Sequence, residues 1–159
     1  MKRFILSLLL FIPVMLHAAG PVKVYQGTST YSSDVICTVR DGKVYKGISN
    51  YTSDVVCTVR DNRIYRGTSS YSSDILYTVR DKKVYDRTSS YSSDVIFTIR
   101  DGKAYKGNSS YTSDVAYTLR NGRVYKGTSS WSSDIVAHFD GNLTLPEYIA
   151  VLHTILYVY

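Results

Sequence analysis

Asp41-Gly42-Lys43-Val44-Tyr45-Lys46-Gly47, then Ile48-Ser49-Asn50-Tyr51-Thr52-Ser53-Asp54, then Val55-Val56-Cys57-Thr58-Val59-Arg60: this stretch decides the fold, because it recurs from Pro21 to Asp140. Each copy holds two extended runs separated by a two-residue turn. The longer run, Val35-Ile36-Cys37-Thr38-Val39 in its first copy, is rich in β-branched residues; the shorter is Lys43-Val44-Tyr45-Lys46. The turn reads Asp41-Gly42, Asp61-Asn62, Asp81-Lys82, Asp101-Gly102 or Asn121-Gly122. Asp-Gly and Asn-Gly between strand-like runs mark a β-hairpin, since a type I′ turn needs positive φ at both central residues. Lys82 fits that turn worst, because a side chain at positive φ carries a steric cost.

Such a turn pairs Arg40 with Lys43, Val39 with Val44 and Thr38 with Tyr45. Strand alternation then puts Val35, Cys37, Val39 and Val44 on one face. Ile36, Thr38, Arg40, Lys43 and Tyr45 fall on the other. The first face is the drier and is assigned to the core. The return segment, Gly47 to Ser53, is rich in Ser, Thr and Asn and reads as a loop, with Asp54 capping the start of the next strand.

The strand count bears on closure. The repeats begin with a lone short strand, Val22-Lys23-Val24-Tyr25, and end with a lone long one, Asp134 to Phe139. Five complete hairpins lie between. If the two orphans pair, the result is an all-β ring of six hairpins, twelve short antiparallel strands with no exposed edge. A propeller locks its ring by the same offset.

After the repeats (20–142) comes a segment, 143–159, that reads as a hydrophobic helix. Thr144 is the N-cap, Pro146 lies in the first turn, Glu147 completes a capping box, and Leu143 can staple onto Tyr148. From Tyr148 to Tyr159 only His153 and Thr154 are polar, so the helix requires burial on every side. It is too short to span a membrane. Its expected length, ~21 Å, matches about seven strand residues. It fits as a plug along the ring axis, touching all six units. The core row Cys37, Cys57, Tyr77, Phe97, Tyr117, Ala137 varies in size, as a six-fold wall around an asymmetric helix requires; neutral drift among repeats is the alternative.

The first nineteen residues are foreign to the rest. Lys2 and Arg3, an apolar run from Phe4 to Leu16, and Ala18-Ala19-Gly20 read as a cleaved signal peptide, 1–19, rather than a signal anchor. No cysteine follows as a lipobox would need. The expected location is therefore periplasmic or secreted, with no transmembrane span after cleavage. Without Lys2 and Arg3 the chain has 17 basic and 13 acidic residues, spread through the repeats, which gives no nucleic-acid footprint.

The pattern Asp-Gly-Lys-Val-Tyr-Lys-Gly…Ser-Ser-Tyr-Ser-Ser-Asp-Val, a signal peptide, and the terminal Leu-Thr-Leu-Pro-Glu-Tyr-Ile-Ala-Val together resemble the bacterial β-flower proteins over 21–159. The resemblance implies short hairpins set radially around a hydrophobic C-terminal segment. It is to versions with four or five hairpins and shorter units, and it implies no activity. A β-solenoid of the choline-binding type is the other architecture with such repeats, but that type depends on Trp-rich cages and this chain has Trp131 alone.

Candidate chemistry is sparse. Cys37 and Cys57 share one repeat position, and in a ring a strand between them sets them ~9.5 Å apart, beyond disulfide reach. Two buried thiols are expected. His138 and His153 sit where the repeat breaks down and read as structural rather than catalytic. No metal-ligand spacing, cofactor motif or nucleophile elbow is present. Three rows could bind. Tyr31, Tyr51, Tyr71, Tyr91, Tyr111 and Trp131 either form an aromatic rim suited to sugar faces or fold each over its own hairpin, the latter being the expectation. Asp34 and its equivalents are expected to cap rather than to hold Ca²⁺. Arg40, Arg60, Arg80, Arg100 and Arg120 could form an anion-binding rim, the plainer reading being a solvated face paired with nearby acids. The function expected is non-enzymatic: a module for envelope or extracellular carbohydrate or polymer. A structural or protein-interaction element is the alternative, a hydrolase the weak third. The sequence is silent on oligomeric state.

Overall fold

The computed structural model describes residues 20–158, so the segment read as a signal peptide lies outside the described residues. The elements are β1 (Val22–Gln26), β2 (Val35–Arg40), β3 (Lys43–Lys46), β4 (Val55–Arg60), β5 (Arg63–Arg66), β6 (Ile75–Arg80), β7 (Lys83–Asp86), β8 (Val95–Arg100), β9 (Lys103–Lys106), β10 (Val115–Arg120), β11 (Arg123–Lys126), β12 (Ile135–Phe139) and the helix α1 (Leu145–Tyr157). Every strand is antiparallel to its neighbours in the chain, and β1 pairs with β12, so the sheet closes into a twelve-stranded barrel. The orphan strands meet with Val24 opposite Phe139 and Tyr25 opposite His138. Closure excludes a solenoid.

Each hairpin has the expected register: Arg40 faces Lys43, Val39 faces Val44 and Thr38 faces Tyr45. Both turn residues take positive φ, 51° and 68° at Asp41 and Gly42, and 50° and 61° at Asp81 and Lys82. The turn carbonyl then binds the next long strand, as in Val59 N–H to Gly42 O at 2.6 Å. The five turns therefore share one end of the barrel, and the connections from Gly47 to Ser53 and their equivalents share the other.

Alternation within the long strands departs from the sequence expectation. Val44 faces Cys57 whereas Tyr45 faces Val55, which leaves Val56 as an extra residue in a β-bulge. All six junctions between units carry the same bulge. A one-residue shift reverses facing. Val35 thus leaves the inner face and lies opposite Tyr25, while Ile36 joins Cys37, Val39 and Val44 in the inner core.

The bulge gives the barrel two apolar layers. Inside, α1 buries Tyr148, Ile149, Ala150, Val151 and Leu152 against the strands. Fully burying a residue such as Ile149 or Leu152 contributes about 1.5–3 kcal/mol. Outside, Tyr45, Tyr65, Tyr85, Tyr105 and Tyr125 are buried on the barrel wall. Each lies between a threonine on its own hairpin and the first residue of the next long strand, as Tyr45 lies between Thr38 and Val55.

The helix does not sit evenly against six units. It lies closest to β2, β3, β4 and β5. Around the ring, Ala137, Cys37 and Cys57 form one contiguous half of the inner row, and Tyr77, Phe97 and Tyr117 form the other. The small half lets the helix approach, and the bulky half fills the width left opposite. Row variation therefore has a packing cause. The helix start is as read: Thr144 and Glu147 form a capping box, with Thr144 N–H to Glu147 Oε2 at 2.9 Å.

Candidate functional site

The connections at the loop end are ordered by their own polar groups. Each ends in a single 3₁₀ turn, Thr52–Asp54 in the second copy. Ser49 Oγ donates to Asp54 Oδ2 and accepts from Tyr51 N–H at 3.1 Å, while Asp54 N–H bonds Tyr51 O at 3.0 Å. The same three bonds recur in all six loops, at Ser29, Ser69, Ser89, Ser109 and Ser129. The aspartate locks the loop through the serine instead of capping a strand. Two serine hydroxyls, those of Ser89 and Ser93, hold the Asp94 carboxyl below its usual range. The serine row was missed in the sequence, although Ser five residues before Asp is identical in every unit.

This bracing presents the aromatics. Tyr31, Tyr51, Tyr71, Tyr91, Tyr111 and Trp131 are 72–75% exposed. They do not fold over their hairpins, because the Tyr45 row already occupies the outer wall. Six aromatics therefore ring the loop end, equivalent positions being two strands apart and so at least ~9.5 Å from one another. Leu156, Tyr157 and Val158 of the helix end are exposed at this same end. Beside Tyr91 lies an open cleft of about 430 Å³ that Arg87, Ser89, Ser90 and Asp94 also line.

Among the described residues the arginine row is held by the tyrosines and not by acids. The guanidinium carbons of Arg40, Arg60, Arg80, Arg100 and Arg120 lie 4.8, 5.7, 4.8, 4.9 and 5.0 Å from the ring centres of Tyr45, Tyr65, Tyr85, Tyr105 and Tyr125. A cation over an aromatic face gains roughly 0.5–1 kcal/mol where exposed. Thr38 Oγ1 donates to Gly47 O at 2.7 Å, and its equivalents do likewise, clasping the loop to the wall.

A family model described as the 6-fold beta flower protein matches residues 24–152. The chain belongs to the 6-fold beta flower family. The six units are thus the family's own count, in place of the four or five of the first resemblance. Neither the curated proteins nor the solved structures gave a match.

In this beta flower His138 and His153 stand on opposite sides of the wall. His138 takes the place of the clasping threonine: its Nδ1 lies 2.9 Å from Gly27 O, to which it donates, and its ring stacks on Tyr25 at 5.0 Å. His153 is on the plug, with Nδ1 3.0 Å from the Tyr77 hydroxyl. Burial and nearby Arg66 push the His153 pKa down, and burial pushes Tyr77 up to about 12. Both shifts favour the neutral forms, and the histidine tautomer sets which of the two donates. No dyad forms between the histidines. Cys37 and Cys57 are free, buried thiols on either side of β3, and burial pushes the Cys57 pKa up to about 12. Neither is poised as a nucleophile, which requires a thiolate. Among the described residues no three His, Cys, Asp or Glu side chains cluster as a metal site would need, and no helix is long and apolar enough to cross a membrane.

Proposed function

We propose that this beta flower is an exported, non-enzymatic binding module for envelope or extracellular carbohydrate, and that the aromatic rim at the loop end is its binding surface. The carrying observation is the exposure of all six symmetry-related aromatics on loops braced by three hydrogen bonds each. A flat ring stacks on the C–H face of a sugar while neighbouring hydroxyl groups bond its oxygens. The cleft beside Tyr91 has that composition, with Ser89 and Ser90 for hydroxyls and Asp94 and Arg87 for stronger polar contacts. Six weak sites on one body engage a repeating polymer with avidity that no single site has. Export rests on the signal-like residues 1–19 alone.

The exposed Leu156, Tyr157 and Val158 favour a second reading, in which the same end holds a protein partner. One experiment separates them: binding to peptidoglycan and a broad glycan panel by the wild type and by Tyr51→Ala/Tyr71→Ala/Tyr91→Ala. Specific glycan binding, lost in a variant that melts normally, is the expected result. Absence of glycan binding by the wild type, or its full retention in the variant, overturns the sugar reading.

A further inference from the structure

The basic residues look evenly spread along the sequence, two to four per unit. Folding gathers them. The turn end of the barrel carries the arginines that finish the long strands, the cations that open the short ones (Lys23, Lys43, Arg63, Lys83, Lys103, Arg123), and Lys82. These are twelve of the seventeen cations in 20–159. Six acids share that end: the turn residues Asp41, Asp61, Asp81 and Asp101, with Asp140 and Glu147. The loop end has the remaining five cations and seven acids, six of which are the aspartates bonded to serine hydroxyls. One end of the molecule is therefore net positive by six, and the other net negative by two. A mild total charge hides a strong axial asymmetry.

The same positive end has an apolar opening. A groove of about 200 Å³ runs between the start of α1 and the wall, lined by Leu143, Leu145, Tyr148, Ile99, Leu119 and Lys103. Except for Tyr148 these side chains are only half-buried. A ring of cations around an apolar groove matches a surface that offers anionic groups above hydrocarbon.

We propose that the turn end is a docking surface for an anionic phospholipid bilayer, the cation belt meeting the headgroups and the groove beside α1 accepting apolar lipid. The closed ring sets equivalent cations at one level around the barrel, a layout that suits a plane better than the curved grooves of a nucleic-acid duplex. The lysines, Arg63 and Arg123 are long enough to bring their charge to the headgroups from the outer wall. The five strand-end arginines, stacked over their tyrosines, add to the field from further down the wall, Arg100 also donating to Ser110 O at 3.2 Å. Attraction to an anionic leaflet strengthens binding about five-fold per cation and falls off within a Debye length. The turn aspartates oppose it but are outnumbered. With this end on a bilayer, the aromatic rim faces away from it, and the two surfaces do not compete. The inference is independent of the sugar reading.

The test is sedimentation of the protein with vesicles of phosphatidylcholine alone and of phosphatidylcholine mixed with phosphatidylglycerol, at low and high salt. Two variants of equal net charge are compared: Lys43→Glu/Lys83→Glu/Lys103→Glu at the turn end and Lys46→Glu/Lys106→Glu/Lys126→Glu at the loop end. Melting curves establish that both are folded. The wild type should bind the mixed vesicles at low salt and release at high salt. Losing three cations alone weakens binding about 100-fold in the turn-end variant, the three carboxylates that replace them weaken it further, and the loop-end variant should keep most of its binding. Equal loss in the two variants, binding to phosphatidylcholine alone, or no binding at low salt overturns the proposal. So does displacement from the mixed vesicles by duplex DNA at matched phosphate concentration, which would mark a general polyanion site.

Discussion

Replacing Lys82 by glycine should make the barrel more stable, although it removes a whole side chain. Lys82 sits at φ 61° in a turn whose equivalent positions are glycine in three of the other four hairpins. At Gly42, Gly102 and Gly122 an added Cβ would lie 2.9, 2.7 and 2.9 Å from the carbonyl oxygen of the next long strand. Lys82 has that Cβ, and its own carbonyl is tied to Ile99 N–H at 2.7 Å, so it cannot retreat freely. A non-glycine residue in left-handed backbone costs about 1–2 kcal/mol, and glycine returns about 0.5–1 of that through the flexibility of the unfolded chain. With the carbonyl contact added, the expected net gain is about 1 kcal/mol. Arg87 supplies the control. Its φ is 49° where other units have Gly47, Gly67 or Gly107, but a Cβ there meets only ordinary contacts, 3.6–3.8 Å from a carbonyl. Arg87→Gly should therefore gain about half as much. Urea and thermal unfolding of the two variants and the double variant measure this, about 1 kcal/mol appearing as roughly 3 °C in Tm. The two sites lie at opposite ends of the barrel and should add. If Lys82→Gly melts at or below the wild type, or Arg87→Gly gains more, the strain assigned to the turn is wrong.

Three further outcomes follow from the packing. Tyr65→Ala should cost about 3–5 kcal/mol, since it empties the outer layer, while Tyr51→Ala should fall within about 0.5 kcal/mol of wild type; similar losses in urea unfolding would contradict the division of the tyrosines. Native Cys37 and Cys57 should resist a thiol reagent until the barrel unfolds, because burial raises both pKa values; rapid labelling under native conditions would refute their inert placement. Stability should decline as pH falls below 6.5, the ordinary histidine value, because the unfolded chain binds a proton that the folded His153 refuses until lower pH. His153→Gln should flatten that part of the stability–pH curve, and an unchanged slope would assign it to other groups.

The repeat made most of the fold legible. Asp-Gly and Asn-Gly fix the turns, the orphan strands point to closure, and Thr144 with Glu147 starts the helix. The bulge at Val56 was not legible, because an extra residue leaves the twenty-residue period intact and shows only in how Tyr45 and Val55 pair across units. That one feature misplaced Ile36 and hid the outer layer. With Tyr45 read merely as a polar-face residue, Tyr51 was the natural candidate to cover the hairpin, and its exposure came as a correction. The clustering of charge at the turn end was hidden for a related reason. Composition along a repeat is uniform, whereas the ring adds equivalent residues at one height.

The pairing of β1 with β12 changes the kind of object this chain is. Six hairpins in an open row would behave as a one-dimensional array, in which each unit touches only its neighbours and the ends fray first. Joining Val24 to Phe139 removes the ends. Any unit that opens must now break two interfaces and expose α1, so the units gain or lose order together. The seam is also the expensive contact to make: Lys23 N–H reaches Asp140 across 117 residues. Closing so long a loop costs about 2 kcal/mol more entropy than closing a neighbouring unit. Folding therefore has a natural last step, in which a nearly complete coil of hairpins captures its own first strand.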